Sequence, residues 1–224
     1  METKTPPDNE QLLKLIKKIA EEQHFSTFDT LVTPVSTHGA NYTSNLFKIK
    51  IISESRDLDV FAKVAALNEQ IRTDIKFNPF DVENAFYTFL AETYKQLEDK
   101  HDILDKDRLK YPTYYGAQTT HLRETLVLED LTSRGFGSPD RFRSVDSSYA
   151  YATLRELAKF HALSLAFQHE FPTDFDKFVG KIPGGMFEDN PIIELLVKAG
   201  VASPVPFQAK CVLPFTTTPS LNIR

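Results

Sequence analysis

A glycine, a lysine and a glutamate occur in an order that suits the binding of a phosphate group. Gly39 falls in a predicted turn between two strands, Lys63 lies inside an apolar strand, and Glu83 lies near the start of a predicted helix. A bound phosphate chain needs a flexible backbone over it, a fixed cation beside it and a group that holds this cation. The order of the three residues therefore indicates a nucleotide-phosphate site.

Lys63 and Glu83 are placed where they could meet. A lysine in the middle of an apolar strand must extend its ammonium group to solvent or find a partner, because an unpaired charge is costly to bury. Glu83 follows Val82 of the apolar helix stripe and stands about 70° from the centre of that stripe, at 100° per residue. A carboxylate there suits the rim of a cleft and is the candidate partner of Lys63.

Each of these residues also has a purely structural interpretation. Gly39 could be only a turn glycine, Lys63 could be an edge-strand lysine that blocks aggregation, and Glu83 could complement the helix dipole. The order and spacing of the three together favour the phosphate-binding interpretation. His161, on an apolar helix face, is expected to be a packed, hydrogen-bonded core residue rather than a ligand.

Hydrophobic periodicity predicts the elements that must position these residues. Asn78 followed by Pro79 is typical of a helix start. Helices are predicted at about 9–23, 79–98, 147–168 and 191–198. Strands are predicted at 31–35, 47–51, 58–64, 112–117 and 125–131, and 171–187 is predicted to be rich in loops. This order predicts an α+β fold, in which a five-stranded sheet carrying one helix is joined to a helical part.

The composition limits the classes of protein and partner. The chain has 224 residues, 41% hydrophobic and 25% charged, as in an ordinary soluble globular protein. Its net charge of −5 argues against a nucleic-acid partner, which needs a basic face. The single cysteine, Cys211, excludes an intramolecular disulfide and a cysteine-rich zinc site. No stretch approaches the roughly 20 apolar residues of a membrane span, so we expect a cytoplasmic protein without a membrane partner.

Five motifs stand out along the chain: Gly39–Ile49, Phe61–Val64, Phe80–Tyr87, Leu126–Leu131 with Gly135–Phe136, and Leu157–Ala162. In this order they resemble the ecdysteroid kinase-like family of insects, which are small-molecule kinases related to choline kinase and aminoglycoside phosphotransferases. The similarity covers about residues 25–170. No single motif is decisive, but their order is specific.

The resemblance implies a protein-kinase-like fold, with a complete N-lobe, made of an antiparallel sheet plus a helix, and a partial helical C-lobe. It implies transfer of the ATP γ-phosphate, with magnesium, to a hydroxyl of a steroid or similar small molecule. Gly39, Asn41 and Ser44 would lie in the loop that covers the phosphates. Lys63 would hold the α- and β-phosphates, and Glu83 would orient Lys63.

The same resemblance implies a hinge and a division of the chain. The strand ending at Leu131 would lead into the hinge, where the backbone around Glu129 and Leu131 would meet the adenine. Glu129 and Asp130 would then be near ATP without being catalytic. The expected regions are an N-terminal helix or extension (1–24), the N-lobe and hinge (25–131), the partial C-lobe (132–200) and an irregular tail (201–224).

The sequence departs from the family pattern at important places. Ala40 replaces the acid of the usual Gly-Glu-Asn loop, and none of the six histidines begins the catalytic His-Gly-Asp. The nearest match to a magnesium motif, Asp174-Phe-Asp176, is interpreted as loop sequence. We therefore assign no catalytic residue and no metal ligand, and expect the chain to be truncated before the catalytic loop.

Three functions follow from this reasoning. The first is membership of an ATP-dependent small-molecule kinase family, with no catalysis by this chain. The second is a non-catalytic, pseudokinase-like fragment that binds a nucleotide or a protein. The third is a truncated product without function.

Overall fold

The fold is a five-stranded antiparallel sheet. Helices come before the strands, between the third and fourth strands, and after the last strand in the sequence. The computed structural model describes residues 9–36, 43–75, 78–140 and 142–182, all of which fall in one of the two compact units of the chain, Met1–Gly185. The elements are α1 (Asn9–Glu22), β1 (Asp29–Val35), β2 (Ser44–Ile52), β3 (Asp57–Ala65), α2 (Glu69–Ile75), α3 (Pro79–Ala85), a π-helical segment (Phe86–Leu90), α4 (Ala91–Lys100), β4 (Tyr114–Gln118), β5 (Thr125–Glu129), a 3-10 turn (Leu131–Arg134), α5 (Ser147–Glu170) and α6 (Pro172–Val179).

The strands lie in the order β1-β2-β3-β5-β4, and every neighbouring pair is antiparallel. All five predicted strands are present. β2 and β3 form the predicted hairpin, with Ser44 opposite Ala65 and Ile52 opposite Asp57. Because side chains alternate between the two faces of a strand, the register assigns each residue to one face of the sheet.

One face of the sheet is covered by α1. The apolar stripe of α1 packs on the inward residues of the sheet in one core cluster. The cluster includes Leu12, Ile16, Ile19, Ile49, Ile51, Val60, Ala62 and Val127, each at most 2% exposed. Burial of this apolar surface holds the helix on the sheet, so the opposite face of β2 and β3 carries the remaining side chains.

The predicted helix at 79–98 is a run of three helical segments. Asn78 caps α3 as predicted, since its side-chain oxygen accepts a hydrogen bond from the Phe80 backbone at 3.1 Å. The helix then widens into the π-helical segment before α4 begins. Such a segment adds one residue to a turn and is frequent at functional sites. Apolar spacing predicts the helix but not this insertion.

A second core joins α4, α5 and α6. Tyr94, Leu97 and Phe167 form its buried centre, and aromatic side chains pack around them. Phe175 and Phe178 of α6 belong to this packing, which explains why a segment predicted to be loop is helical.

The structure corrects two predictions and adds one helix. Residues 171–187 were expected to be rich in loops, but Pro172 begins α6, and Asp174 and Asp176 lie within this helix. The seven-residue helix α2 was not predicted, because its sequence is mostly polar and two isoleucines four positions apart are too few to establish a helical period. His161 is exposed rather than part of the core, on a helix that also exposes Leu154 and Leu165.

Several predictions lie outside the described residues. They concern the turn with Gly39 and Asn41, the helix at 191–198 and the tail at 201–224. The division of the chain into four regions stays a prediction. Among the helices of the described residues, none is long and apolar enough to cross a membrane.

Candidate functional site

Lys63 and Glu83 form an ion pair on the face of the sheet opposite α1. Lys63 Nζ donates to Glu83 Oε1 at 2.5 Å and also contacts Oε2. The lysine comes from β3 and the glutamate from α3, so the pair joins the sheet to the capped helix. Their side chains are 26% and 37% exposed. The predicted pairing is therefore present, at a position that solvent can reach.

The strand register shows which residues surround Lys63. Leu46 of β2 and Leu126 of β5 lie directly opposite it on the neighbouring strands. Lys48 comes two residues after Leu46 in β2 and therefore lies on the same face of the sheet, opposite Phe61 of β3. Lys63 therefore lies between two leucines of the neighbouring strands, on the same face of the sheet as Lys48.

A buried polar network fixes the start of the helix that carries Glu83. The Asn78 side chain donates to Glu124 Oε1 at 3.0 Å and accepts a hydrogen bond from Arg72. Arg72 Nη2 lies 2.9 Å from Glu124 Oε2, although the two groups are not aligned as a hydrogen bond. The side chains of Arg72 and Glu124 are only 9% and 3% exposed. Sequence reasoning found the cap but missed the Arg72–Glu124 pair that holds it.

Tyr87 lies one turn after Glu83 and packs against the sheet. Its ring stacks on that of Tyr114 of β4, with centroids 5.8 Å apart. The Tyr114 hydroxyl contacts the Asn84 side chain at 3.2 Å. Burial, and secondarily the charge of Glu83, raise the pKa of Tyr87 to about 12, so its phenol stays neutral. These contacts set the distance between the helix and β4.

The side chain of Glu129, at the end of β5, is occupied by the fold. Its carboxylate accepts hydrogen bonds from the Thr113 backbone and hydroxyl at 3.1 and 3.0 Å, and from Arg134 at 3.0 Å. Burial alone would raise the pKa of Glu129, but these hydrogen bonds hold it below its usual value. The Glu129 carboxylate is therefore engaged within the fold, and its backbone N–H also donates to the Thr113 carbonyl at 2.8 Å.

Asp130 holds the segment that follows β5. Its carboxylate caps the 3-10 turn that begins at Leu131, accepting from Thr132 N at 2.9 Å and from Thr132 Oγ1 at 2.7 Å. Lys48 Nζ lies 3.3 Å from the other carboxylate oxygen. Burial would raise the pKa of Asp130, but the bonds from Thr132 and Lys48 hold it below its usual value. Gly135 ends the turn in the left-handed region, at φ 85°.

The structure brings some of the predicted site residues together. Lys63 and Glu83 are in contact, and Ser44 is the buried first residue of β2, opposite Ala65. Glu129 and Leu131 lie at the end of β5 and the start of the 3-10 turn. Gly39 and Asn41 lie outside the described residues. The roles of all these residues in nucleotide binding stay predictions.

Within 9–36, 43–75, 78–140 and 142–182, no three His, Cys, Asp or Glu side chains are grouped to hold a metal ion. A magnesium ion that is held by one or two carboxylates and by the phosphates of a nucleotide needs no such group.

The sheet, the capped helix and the strand lysine define an α+β protein with a kinase-like fold. The sequence model of the ecdysteroid kinase-like family matches residues 38–201, well over half of the chain. This chain belongs to the ecdysteroid kinase-like family, whose members are kinase-like small-molecule phosphotransferases, and the predicted resemblance and fold class are confirmed. Searches of the curated proteins and of the solved structures each found no match.

Proposed function

We propose that this chain binds ATP on the face of the sheet opposite α1, with Lys63 beside the α- and β-phosphates and Glu83 holding Lys63 in place. The observation that carries the proposal is the ion pair between them. A pair this accessible to solvent contributes little to folding. It does keep one ammonium group fixed at an open surface, which is what a phosphate chain requires.

The other predicted contacts complete the proposed nucleotide site. Ser44, with Gly39 and Asn41 before it, covers the phosphates. The backbone of Glu129 and Leu131 contacts the adenine. The engagement of the Glu129 carboxylate with Thr113 and Arg134 supports a backbone contact, since that side chain is not free to reach a ligand.

The proposed acceptor is a hydroxyl group of a small molecule, an ecdysteroid or a compound like it, and the proposed compartment is the cytoplasm. We also propose that residues 1–224 alone bind the nucleotide without transferring its phosphate. Transfer needs a general base beside the hydroxyl and acids that hold magnesium. None of the six histidines starts a His-x-Asp sequence. A non-catalytic nucleotide-binding role is therefore the function proposed for this stretch of chain.

Calorimetric titration of ATP tests the binding proposal. The wild type and Lys63→Ala are compared, with Lys50→Ala as a matched control. Lys50 lies on the same face of β2 and pairs with Asp57 and Asp59 instead of Glu83. We expect weak binding by the wild type and the control, and a loss of about tenfold or more in Lys63→Ala. Equal affinities in all three proteins would remove Lys63 from the site.

A further inference from the structure

A lysine of β2 is tied to the segment that leaves β5. The Lys48 ammonium group donates to the Thr132 hydroxyl and lies 3.3 Å from the Asp130 carboxylate. Lys48 and Thr132 are 84 positions apart in sequence, so this contact joins two distant parts of the chain. The Asp130 side chain is only 10% exposed, while that of Lys48 is 42% exposed.

Asp130 fixes the backbone on both sides of itself. Its N–H donates to the Asp59 carbonyl of β3 at 3.2 Å, and its carbonyl accepts from the Ser133 hydroxyl at 2.7 Å. Its carboxylate caps the turn through Thr132. A buried carboxylate with this many donors is held in one orientation, so the path of the chain between β5 and the turn is set by Asp130 and its partners.

We propose that Lys48 is a positioning residue for the base of a bound nucleotide. It acts through Asp130 and Thr132, which hold the backbone around Glu129 and Leu131 in the position that receives the base. This inference rests on the proposed nucleotide site and adds a second lysine to it with a separate task. Lys63 contacts the phosphates, whereas Lys48 contacts no part of the ligand.

Lys50 is the control for Lys48 on the same face of the sheet. It lies two residues after Lys48, is similarly exposed, and pairs with Asp57 and Asp59 of the neighbouring strand. All three residues belong to the β2–β3 hairpin, so this pair does not reach the segment after β5. A purely electrostatic effect of removing a lysine from this face would appear in Lys50 variants as well.

Comparison of adenosine with ATP separates the two tasks. Adenosine has the base and the ribose but no phosphate, so its affinity does not depend on the phosphate contacts. Both ligands are titrated directly by calorimetry, for the wild type and for Lys48→Met, Asp130→Asn, Lys48→Arg, Lys50→Met and Lys63→Ala. Because Lys48 is partly exposed, Lys48→Met keeps the test valid if Asp130→Asn fails to fold.

We expect Lys48→Met and Asp130→Asn to weaken the binding of adenosine and of ATP by the same factor, about three- to tenfold, the size of one lost hydrogen bond. Lys48→Arg should recover most of the affinity, Lys50→Met should match the wild type, and Lys63→Ala should weaken ATP while leaving adenosine unchanged. Unchanged adenosine binding in both Lys48→Met and Asp130→Asn, with ATP still dependent on Lys63, would overturn this inference and leave the nucleotide site intact. Absence of ATP binding by the wild type would overturn the proposed function, and the inference with it.

Discussion

At the scale of single residues, the proposed site needs the Lys63 ammonium group in a fixed position more than it needs a strong ion pair. Lys63 and Glu83 are both partly exposed, and their attraction is screened by solvent. Asp130 is different, since it is nearly buried and bonded on every side. One pair thus remains open to a ligand, and the other fixes the backbone.

Glu83→Gln separates binding from stability. Because the ion pair is solvent-accessible, we expect the free energy of unfolding to change by less than about 1 kcal/mol. The affinity for ATP should fall by about tenfold, since the Lys63 ammonium loses the group that orients it. Thermal unfolding and calorimetry on the same preparations measure the two effects. A large loss of stability with unchanged ATP affinity would make the pair structural.

The pKa of Asp130 gives a prediction about pH. The folded-state pKa lies below the unfolded value, so the stabilisation is present above about pH 4 and is lost as the pH falls through the folded-state pKa. Asp130→Asn keeps an acceptor for Thr132 but loses the charge that pairs with Lys48, so it should destabilise the fold by about 1 kcal/mol at neutral pH. Its deficit relative to the wild type should shrink below about pH 4. Urea unfolding at several pH values measures this, and a deficit independent of pH would count against the assigned contacts.

At the scale of elements, hydrophobic periodicity predicts which residues lie on one face of a helix or strand. It does not predict a residue inserted into a helix, or a helix that depends on tertiary packing. The spacing of apolar residues predicts all five strands and the helix after Asn78. It does not predict the π-helical segment, whose Phe86 and Phe89 pack on Phe160 and Phe167 of α5, because such contacts between distant elements leave no local pattern. α6 was missed because its helix is stabilised by Phe175 and Phe178 in a tertiary core.

The buried pair at the start of α3 makes a prediction at this scale. Glu124→Ala removes the partner of the buried Arg72 and one hydrogen bond of the capping Asn78. We expect a loss of about 3–5 kcal/mol, because an uncompensated charge remains in a buried position. The double variant Arg72→Met with Glu124→Leu should recover much of this loss. Urea denaturation of the three proteins tests it, and a loss below about 1 kcal/mol in Glu124→Ala would refute the burial of the pair.

At the scale of the whole molecule, the fold class and the family were predictable from five short motifs. The Lys63–Glu83 ion pair was predictable from the place of each residue in its strand or helix. The tie between Lys48 and the segment after β5 was not, because no local pattern relates residues so far apart in sequence. Asp130 does precede Thr132 in a spacing typical of a cap, and that local signal was available. Its third partner, Lys48, depends on the strand register that only the folded sheet provides.

A prediction about catalysis concerns residues 1–224 as a whole. Purified protein with ATP, magnesium and a panel of ecdysteroids and other hydroxylated small molecules should give no phosphorylated product, because loss of a general base alone typically costs about 10²–10⁴ in rate. Mass spectrometry of the mixture measures it, with Lys63→Ala as the background. Turnover that survives purification and disappears in Lys63→Ala would show that this stretch of chain supplies a catalytic acid or base of its own.

Lys63, held by Glu83, is proposed to receive the phosphates of ATP. A crystal structure of the protein with a non-hydrolysable ATP analogue is the decisive experiment. We predict that Lys63 Nζ stays within about 4 Å of the Glu83 carboxylate and lies at hydrogen-bonding distance, about 3 Å, from phosphate oxygens. A nucleotide bound elsewhere, or a Lys63 that has left Glu83 and points away from the phosphates, would contradict it.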